Sequence, residues 1–364
     1  MKKIKEYISV PALVLIVLAL ISGIIHLFSV ISTSFADFFN QKIATVFRFL
    51  FAKITGVIPF SFAEILILLI PVWLFLIILF TVKYFKADRK KQIRFLSLLF
   101  AIITFFYSSF VLTFATAYRG TPLENKLSLE REKLSADDIY STLEKVTSEL
   151  TALISSTEYA ENGFSVMPYS FSELNKKLNT AYKIAAEKYD FLNGFSSNVK
   201  EILLSEPMTY THISGVYTYF TGEANVNVNY PDYVIPFTVA HEMAHQRGIA
   251  REDEANFVAF LVGLESDDSY IKYSAYFNIF EYLFSALIRA DAQKAKAFAE
   301  SVPEQIKREI SAYSDFFEKY SDNAIADISD AVNNSYLVSQ GQTAGVKSYG
   351  LVTELTVAYY KNLR

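Results

Sequence analysis

The chain has 364 residues, more than one average domain, and 52% of them are hydrophobic, above the roughly 45–50% usual for soluble proteins. Its formal net charge of −4 hides two unlike halves: residues 1–119 hold 13 Lys and Arg against 4 Asp and Glu, whereas residues 120–364 hold 21 against 34. The lack of cysteine excludes disulfide scaffolds, thiolate metal sites and thiol nucleophiles, and the acidic second half lacks the basic face that a nucleic-acid partner requires.

The basic half reads as a membrane domain, 1–119. Residues 9–32, "SVPALVLIVLALISGIIHLFSVIS", carry no Asp, Glu, Lys or Arg, with His26 their one ionisable side chain able to become cationic, and are long enough to span a bilayer. The run exceeds the apolar core of a signal peptide, so a retained helix is expected although "SFA" before Asp37 has cleavage character. Residues 62–82 and 95–118 are the second and third expected spans, making the lipid bilayer a partner. Basic residues in "MKKIK" and in "KYFKADRKKQIR" (83–94) predict that both segments are cytoplasmic. Between the first two spans, residues 33–61 space Lys42, Arg48 and Lys53 along apolar text. That pattern suits an amphipathic helix on the outer membrane surface or an ordinary packed loop helix. The third span then exits outside, and the acidic domain 120–364 is expected to be extracytoplasmic.

In that domain, residues 135–156 and 170–192 have helix starts and apolar periodicity. Residues 199–231 are rich in Tyr, Thr, Val and Ile with Gly215, Gly222 and Pro231 as punctuation, and predict two or three short strands. From Pro236 helices are expected at 236–247, 252–265, 270–297, 303–321, 324–338 and 346–362. The fold class is therefore α+β, mostly helical, with a small sheet.

The chemistry centres on "HEMAHQRGIAREDEANF", 241–257. Pro236 suits a first helical position, and Gly248 suits the residue just past the end. His241 and His245 lie four residues apart, about 40° around a helix, so both rings leave one face. Zn²⁺ accepts imidazole nitrogens in that spacing, and Glu242, about 100° further round, can act as a general base on a water held there. Three acids compete to be the third ligand. Glu252 shares a face with the small residues Ala255, Ala259 and Gly263, which allow close approach to Ala240, Ala244 and Gly248 of the preceding helix. Glu254 shares the bulky face of Phe257, Val258 and Leu261, and Asp253 fits neither. Glu252 is the expected ligand and Glu254 its rival, with Asn256 one turn on as a hydrogen-bonding support for a ligand ring.

On these residues the chain resembles the zincin metallopeptidases. "Glu252-x-x-Ala255-Asn256" is similar to the Glu-x-x-Ala-Asp element of membrane gluzincins of the CAAX-prenyl protease and HtpX-like type, with Asn where that element has Asp. Arg251 occupies the position where the metzincin pattern has His, so metzincins do not fit. The whole chain is similar to an uncharacterised family of bacterial multi-span membrane proteins carrying text like "PFTVAHEMAHQRGIAREDEANF". The resemblance implies a zincin-like fold, bound zinc and a peptide or protein substrate.

Remaining candidates are weaker. Glu223 and Asn225, in "YTYFTGEANVNVN", are candidates for a strand that aligns substrate. Tyr336 and Tyr349 are candidate oxyanion donors beside the zinc, and His212 is expected to be structural. The expected function is a membrane-anchored zinc peptidase. The alternative is a catalytically silent zinc-binding envelope sensor or assembly factor. An intramembrane protease is disfavoured, because the apolar run around the motif is short and a charged segment follows it.

Overall fold

The structure is a computed structural model that describes residues 6–363, apart from the side chains of Val346, Ser348 and Tyr349. It divides into two compact units: residues up to 120 together with 218–223, and residues 121–217 together with 224 onward.

The first unit is helical. Its helices are α1 (Val10–Ile31), α2 (Thr33–Phe38), α3 (Thr45–Gly56), α4 (Phe62–Leu68), α5 (Ile70–Phe85) and α6 (Arg89–Thr113). Ser9 caps α1 and Asp88 caps α6. The two helices pack against each other. Their buried positions include Ala12, Ser22 and Ser29 on α1 and Ser97, Ala101 and Thr104 on α6. Small residues let backbones approach closely where lipid removes any hydrophobic drive between helices. Both helices are long and apolar enough to cross a membrane.

The expected second span is not one straight helix. α4 and α5 meet at Leu69 with a bend of 50°, and together they are apolar enough to make a third crossing. Pro71 explains the break, since it lacks an N–H and its ring crowds the carbonyl of Ile67.

The segment read either as a surface amphipathic helix or as a packed loop helix is not one continuous α-helix. It forms α2, a π-helical turn (Phe39–Ala44) and α3. Lys42 and Lys53 are exposed, but Arg48 is fully buried. Its guanidinium donates to Asn40 Oδ1 (2.8 Å), the Thr113 carbonyl (2.7 Å), the Asn40 carbonyl (2.8 Å) and Thr45 Oγ1 (2.9 Å). These bonds satisfy a charge that burial would otherwise make costly.

The second unit contains α7 (Leu123–Lys126), α8 (Ala136–Ile154), α9 (Phe171–Lys188) and α10 (Ser205–Thr209). α11 (Val234–Gln246), α12 (Glu252–Leu264), α13 (Ser269–Ala290), α14 (Ala292–Ser301), α15 (Glu304–Glu318), α16 (Ala324–Ser339) and α17 (Val352–Asn362) follow. Capping boxes start α8 at Ser135 with Asp138 and α9 at Ser170 with Glu173. The helix expected over 270–297 is broken, because the Asp291 side chain accepts from Gln293 N and Lys294 N and starts α14 afresh.

The strands are short. β1 (Glu158–Tyr159) pairs antiparallel with β2 (Ser165–Val166). β3 (Lys200–Glu201), β4 (Gly215–Thr218) and β5 (Glu223–Val226) form a sheet in the order β3-β5-β4. β3 runs parallel to β5, with Lys200 opposite Asn225. β4 is an edge strand. The core of this unit runs through α11, α12 and α13, where Met243, Phe257, Phe260, Phe277 and Phe280 are buried.

Candidate metal centre

α11 begins at Val234, two residues before the expected start. Pro236 is its third residue, still in the first turn where an N–H has no intrahelical acceptor. Gly248 takes φ +89°, a left-handed conformation that suits glycine and ends the helix. The chain then turns and enters α12 at Glu252. Ala240, Ala244, Ala255 and Ala259 are all buried. Gly263 departs from the expected seam and faces α13, where an added Cβ would lie 2.4 Å from Ala275 Cβ.

This packing brings His241, His245 and Glu252 together, with one donor atom from each lying within 4.8 Å of the others. Glu252 Oε2 is 3.2 Å from His241 Nε2 and 3.3 Å from His245 Nε2. The imidazole planes are nearly perpendicular, at 89°. Although the separations are short, Glu252 Oε2 makes no aligned hydrogen bond. Donors held about 2.05 Å from one tetrahedral ion lie about 3.3 Å apart, so these separations match the edge of such a coordination sphere. The residues therefore fit a zinc ion.

His245 is oriented for this role. Its Nδ1 donates to the Ile249 carbonyl at 2.7 Å, leaving Nε2 as the donor to an ion. His241 Nδ1 is buried with no partner among the described residues.

Electrostatics support a shared site. Burial pushes the Glu242 carboxyl up to about 7, against the pull of His241 and His245. Burial alone would lower His245, but the Glu252 charge and contact outweigh it and raise the imidazole to about 9. Burial would raise Glu252, yet the two imidazoles hold it well below the usual carboxylate range.

Glu242 sits beside the donors, 4% exposed, and its Oε2 has no partner among the described residues. Its other face meets Gly215 of β4. A Cβ there would lie 2.6 Å from Glu242 Oε1 and 2.8 Å from Thr238 Cγ2. Gly215 thus lets the edge strand pass directly over the carboxylate, a role that sequence spacing did not reveal.

The other acids are committed elsewhere. Glu254 Oε1 accepts from Leu123 N (2.9 Å) and Arg251 Nη1 (2.8 Å). Asp253 pairs with Arg131 at 2.9 Å, and Arg131 also bonds Glu354 at 2.6 Å. Asn256 donates to Tyr282 Oη at 3.2 Å, and no bond from it to either imidazole is present among the described residues.

The tail of α11 is clamped by residues that sequence reasoning passed over. Arg247 is buried, stacks 4.1 Å above the Tyr182 ring, and donates to the carbonyls of Asn193, Met243 and Phe195. Tyr182 donates to the Ala240 carbonyl at 2.6 Å.

The weaker candidates are not among the three converging donors. Glu223 accepts from Phe62 N (3.0 Å) and Ala63 N (2.8 Å), so its carboxylate caps α4 of the first unit. Asn225 is buried in β5 and donates to the Val216 carbonyl at 3.2 Å. Tyr336 is partly buried on α16. Tyr349 lies in a 3-10 turn (Gly345–Leu351), and its side chain is outside the described residues. His212 bonds the Tyr320 carbonyl at 2.6 Å and packs on Phe317, a structural placement.

No curated protein matches the chain, and no solved structure does. A family described as "Protein of unknown function (DUF3810)" matches residues 19–357, nearly the full length. By that match the chain belongs to the DUF3810 family.

Proposed function

We propose that the chain is a membrane-anchored, zinc-dependent peptidase whose catalytic domain lies outside the cytoplasm. One observation carries this reading: a convergent donor set stands beside a buried carboxylate with an uncommitted oxygen. Two imidazoles and one carboxylate are the donors of catalytic zinc sites that keep a fourth position open. Zinc held there would acidify a water molecule and polarise a peptide carbonyl. Glu242 would act as the general base toward the attacking water and then as the proton donor to the leaving amine. A carboxyl raised to about 7 suits both halves of the transfer. β4, at the edge of its sheet, offers backbone groups along which an extended substrate can align.

The basic text at 2–5 and 83–94 favours a cytoplasmic side for those segments, which directs the acidic domain outward. The alternative is a catalytically silent envelope sensor or assembly factor. It needs the donor set but not Glu242. A carboxyl buried at energetic cost beside the donors favours the enzyme.

The test compares the full-length protein in detergent with Glu242→Gln and Glu252→Gln. Zinc is measured by elemental analysis, and cleavage of a diverse peptide mixture is read by mass spectrometry. The expected result is zinc in the native protein and in Glu242→Gln, cleavage only by the native protein, and loss of zinc in Glu252→Gln. A native protein free of zinc sinks the metal assignment. A zinc-loaded native protein that cuts nothing leaves the silent reading.

A further inference from the structure

A cavity of about 650 Å³ opens in the second unit between α13 and α15. Glu281 of α13 contributes a partly buried carboxyl to its wall. Tyr313 and Phe317 of α15, stacked with centroids 5.6 Å apart, form an aromatic side. Asp315 and Glu318 are exposed at the rim. Glu281 Oε1 accepts from Tyr233 Oη at 3.2 Å, while Oε2 has no partner among the described residues. No Lys or Arg among those residues pairs with Glu281, Asp315 or Glu318.

An acid set back in a cavity without a cation is a cost to the fold that a ligand of opposite charge removes. Aromatic faces beside carboxylates add attraction for a cation through their ring quadrupoles. The next residue of the helix, Tyr282, bonds Asn256, one turn beyond Glu252. Glu281 of the cavity wall is thus followed in α13 by a residue bonded to the helix that carries Glu252.

We infer that this cavity is a specificity pocket for a cationic side chain, lysine or arginine, of the peptide that reaches the metal centre, with Glu281 as its counter-ion. The inference rests on the peptidase reading for its biological meaning, but the pocket chemistry is separable from it. A cation restores the ionised carboxyl that burial alone disfavours. The apolar stem of the side chain lies along Tyr313 and Phe317, and the rim acids draw the charge inward.

The experiment has two arms, both on the full-length zinc-treated chain in detergent. In the first, lysinamide and norleucinamide are titrated and binding is followed by calorimetry, which needs no catalysis. Lysinamide is expected to bind about ten-fold more tightly than its neutral analogue, and Glu281→Gln to erase most of that ratio. Asp315→Asn, at the exposed rim, is expected to lower the ratio about two- to three-fold and serves if Glu281→Gln fails to fold. Equal binding of the two amides, or a ratio untouched by either variant, overturns the pocket. In the second arm, cut sites in a peptide mixture are expected to favour Lys or Arg at one flanking position, with the preference lost in Glu281→Gln. Cleavage indifferent to basic residues overturns the link to the metal centre. No cleavage at all, with lysinamide still preferred, fails the peptidase reading and leaves the pocket standing.

Discussion

Glu242 is a side chain whose burial both weakens the fold and underlies its proposed role in the chemistry. It is buried, its Oε2 has no partner among the described residues, and it stands beside the two histidines. Replacing it by glutamine keeps the shape and removes the charge. On the proposed reading, Glu242→Gln lowers cleavage about a thousand-fold while zinc content stays at the native level. The same variant is expected to melt a few degrees higher, because a buried ionisable group is gone. Calorimetric melting beside the zinc and cleavage assays checks this. A variant that loses zinc along with activity would make Glu242 a ligand or a structural support instead of a base. Glu252 differs, because its oxygen lies 3.2 and 3.3 Å from two imidazoles and has no other role. The small residues around it favoured Glu252 in the sequence but left Glu254 open as its rival; in the fold Glu254 accepts from Leu123 N. Asn256 was legible as a buried polar group near the ligands, but its partner was not. Tyr282 lies 26 residues on, and no local pattern reports which distant hydroxyl an amide will meet.

At the scale of elements, the metal helix is held between parts that sequence reads unequally well. Its length, its glycine stop and the turn into α12 follow from local rules, since caps and small seams act within a few residues. The break at Asp291 is local too, but it was masked by apolar periodicity continuing across it. The meeting of β4 with α11 is not local. Gly215 was visible only as strand punctuation, yet it is the residue that lets the strand lie on Glu242. Gly215→Ala tests that contact. The new methyl would sit 2.6 Å from Glu242 Oε1 and 2.8 Å from its Cγ. Either the strand or the carboxylate must shift. Cleavage is expected to fall at least about ten-fold with zinc retained, and stability to drop by about 1–3 kcal/mol. Wild-type cleavage in this variant would show that neither the strand nor the carboxylate needs its present position. Arg247 belongs to the same scale, because it ties the end of α11 to the segment around Asn193 and Phe195. Arg247→Met, which removes the guanidinium's bonds to three carbonyls, is expected to cost about 3 kcal/mol in denaturant unfolding. A change within error would show that neither the carbonyl bonds nor the stack on Tyr182 holds the helix end.

At the scale of the whole molecule, groups shifted in opposite directions set how stability is expected to depend on pH. Burial raises Glu281 to about 8, with Tyr233 pulling the other way, and burial also raises Glu309 despite its bonds from Ser165 and Tyr273. His245, in the absence of metal, is raised to about 9. A group whose folded pKa exceeds its unfolded value stabilises the fold fully below the unfolded pKa and loses that contribution as pH climbs through the folded one. These three groups therefore weaken the metal-free protein as pH rises from about 5 to 9. Asp138 acts in the opposite sense. Bonds from Ser135 and Lys361 lower it to about 2, so its contribution is present above about 4 and lost as pH falls toward 2. Metal-free protein is accordingly expected to be most stable near pH 5 and to lose about 1–3 kcal/mol by pH 9. Zinc bound as proposed would reverse part of that trend, because it takes neutral imidazole and would compete with the proton on His245. The gap in melting temperature between zinc-loaded and chelator-treated protein should widen steadily from pH 5 to 9. Melting curves across that range, with and without chelator, measure both slopes. Glu281→Gln should flatten the metal-free slope and leave the zinc-dependent gap intact. A gap that stays constant with pH would mean that the ion does not bind through a titrating histidine, and the donor set assigned to it would fall.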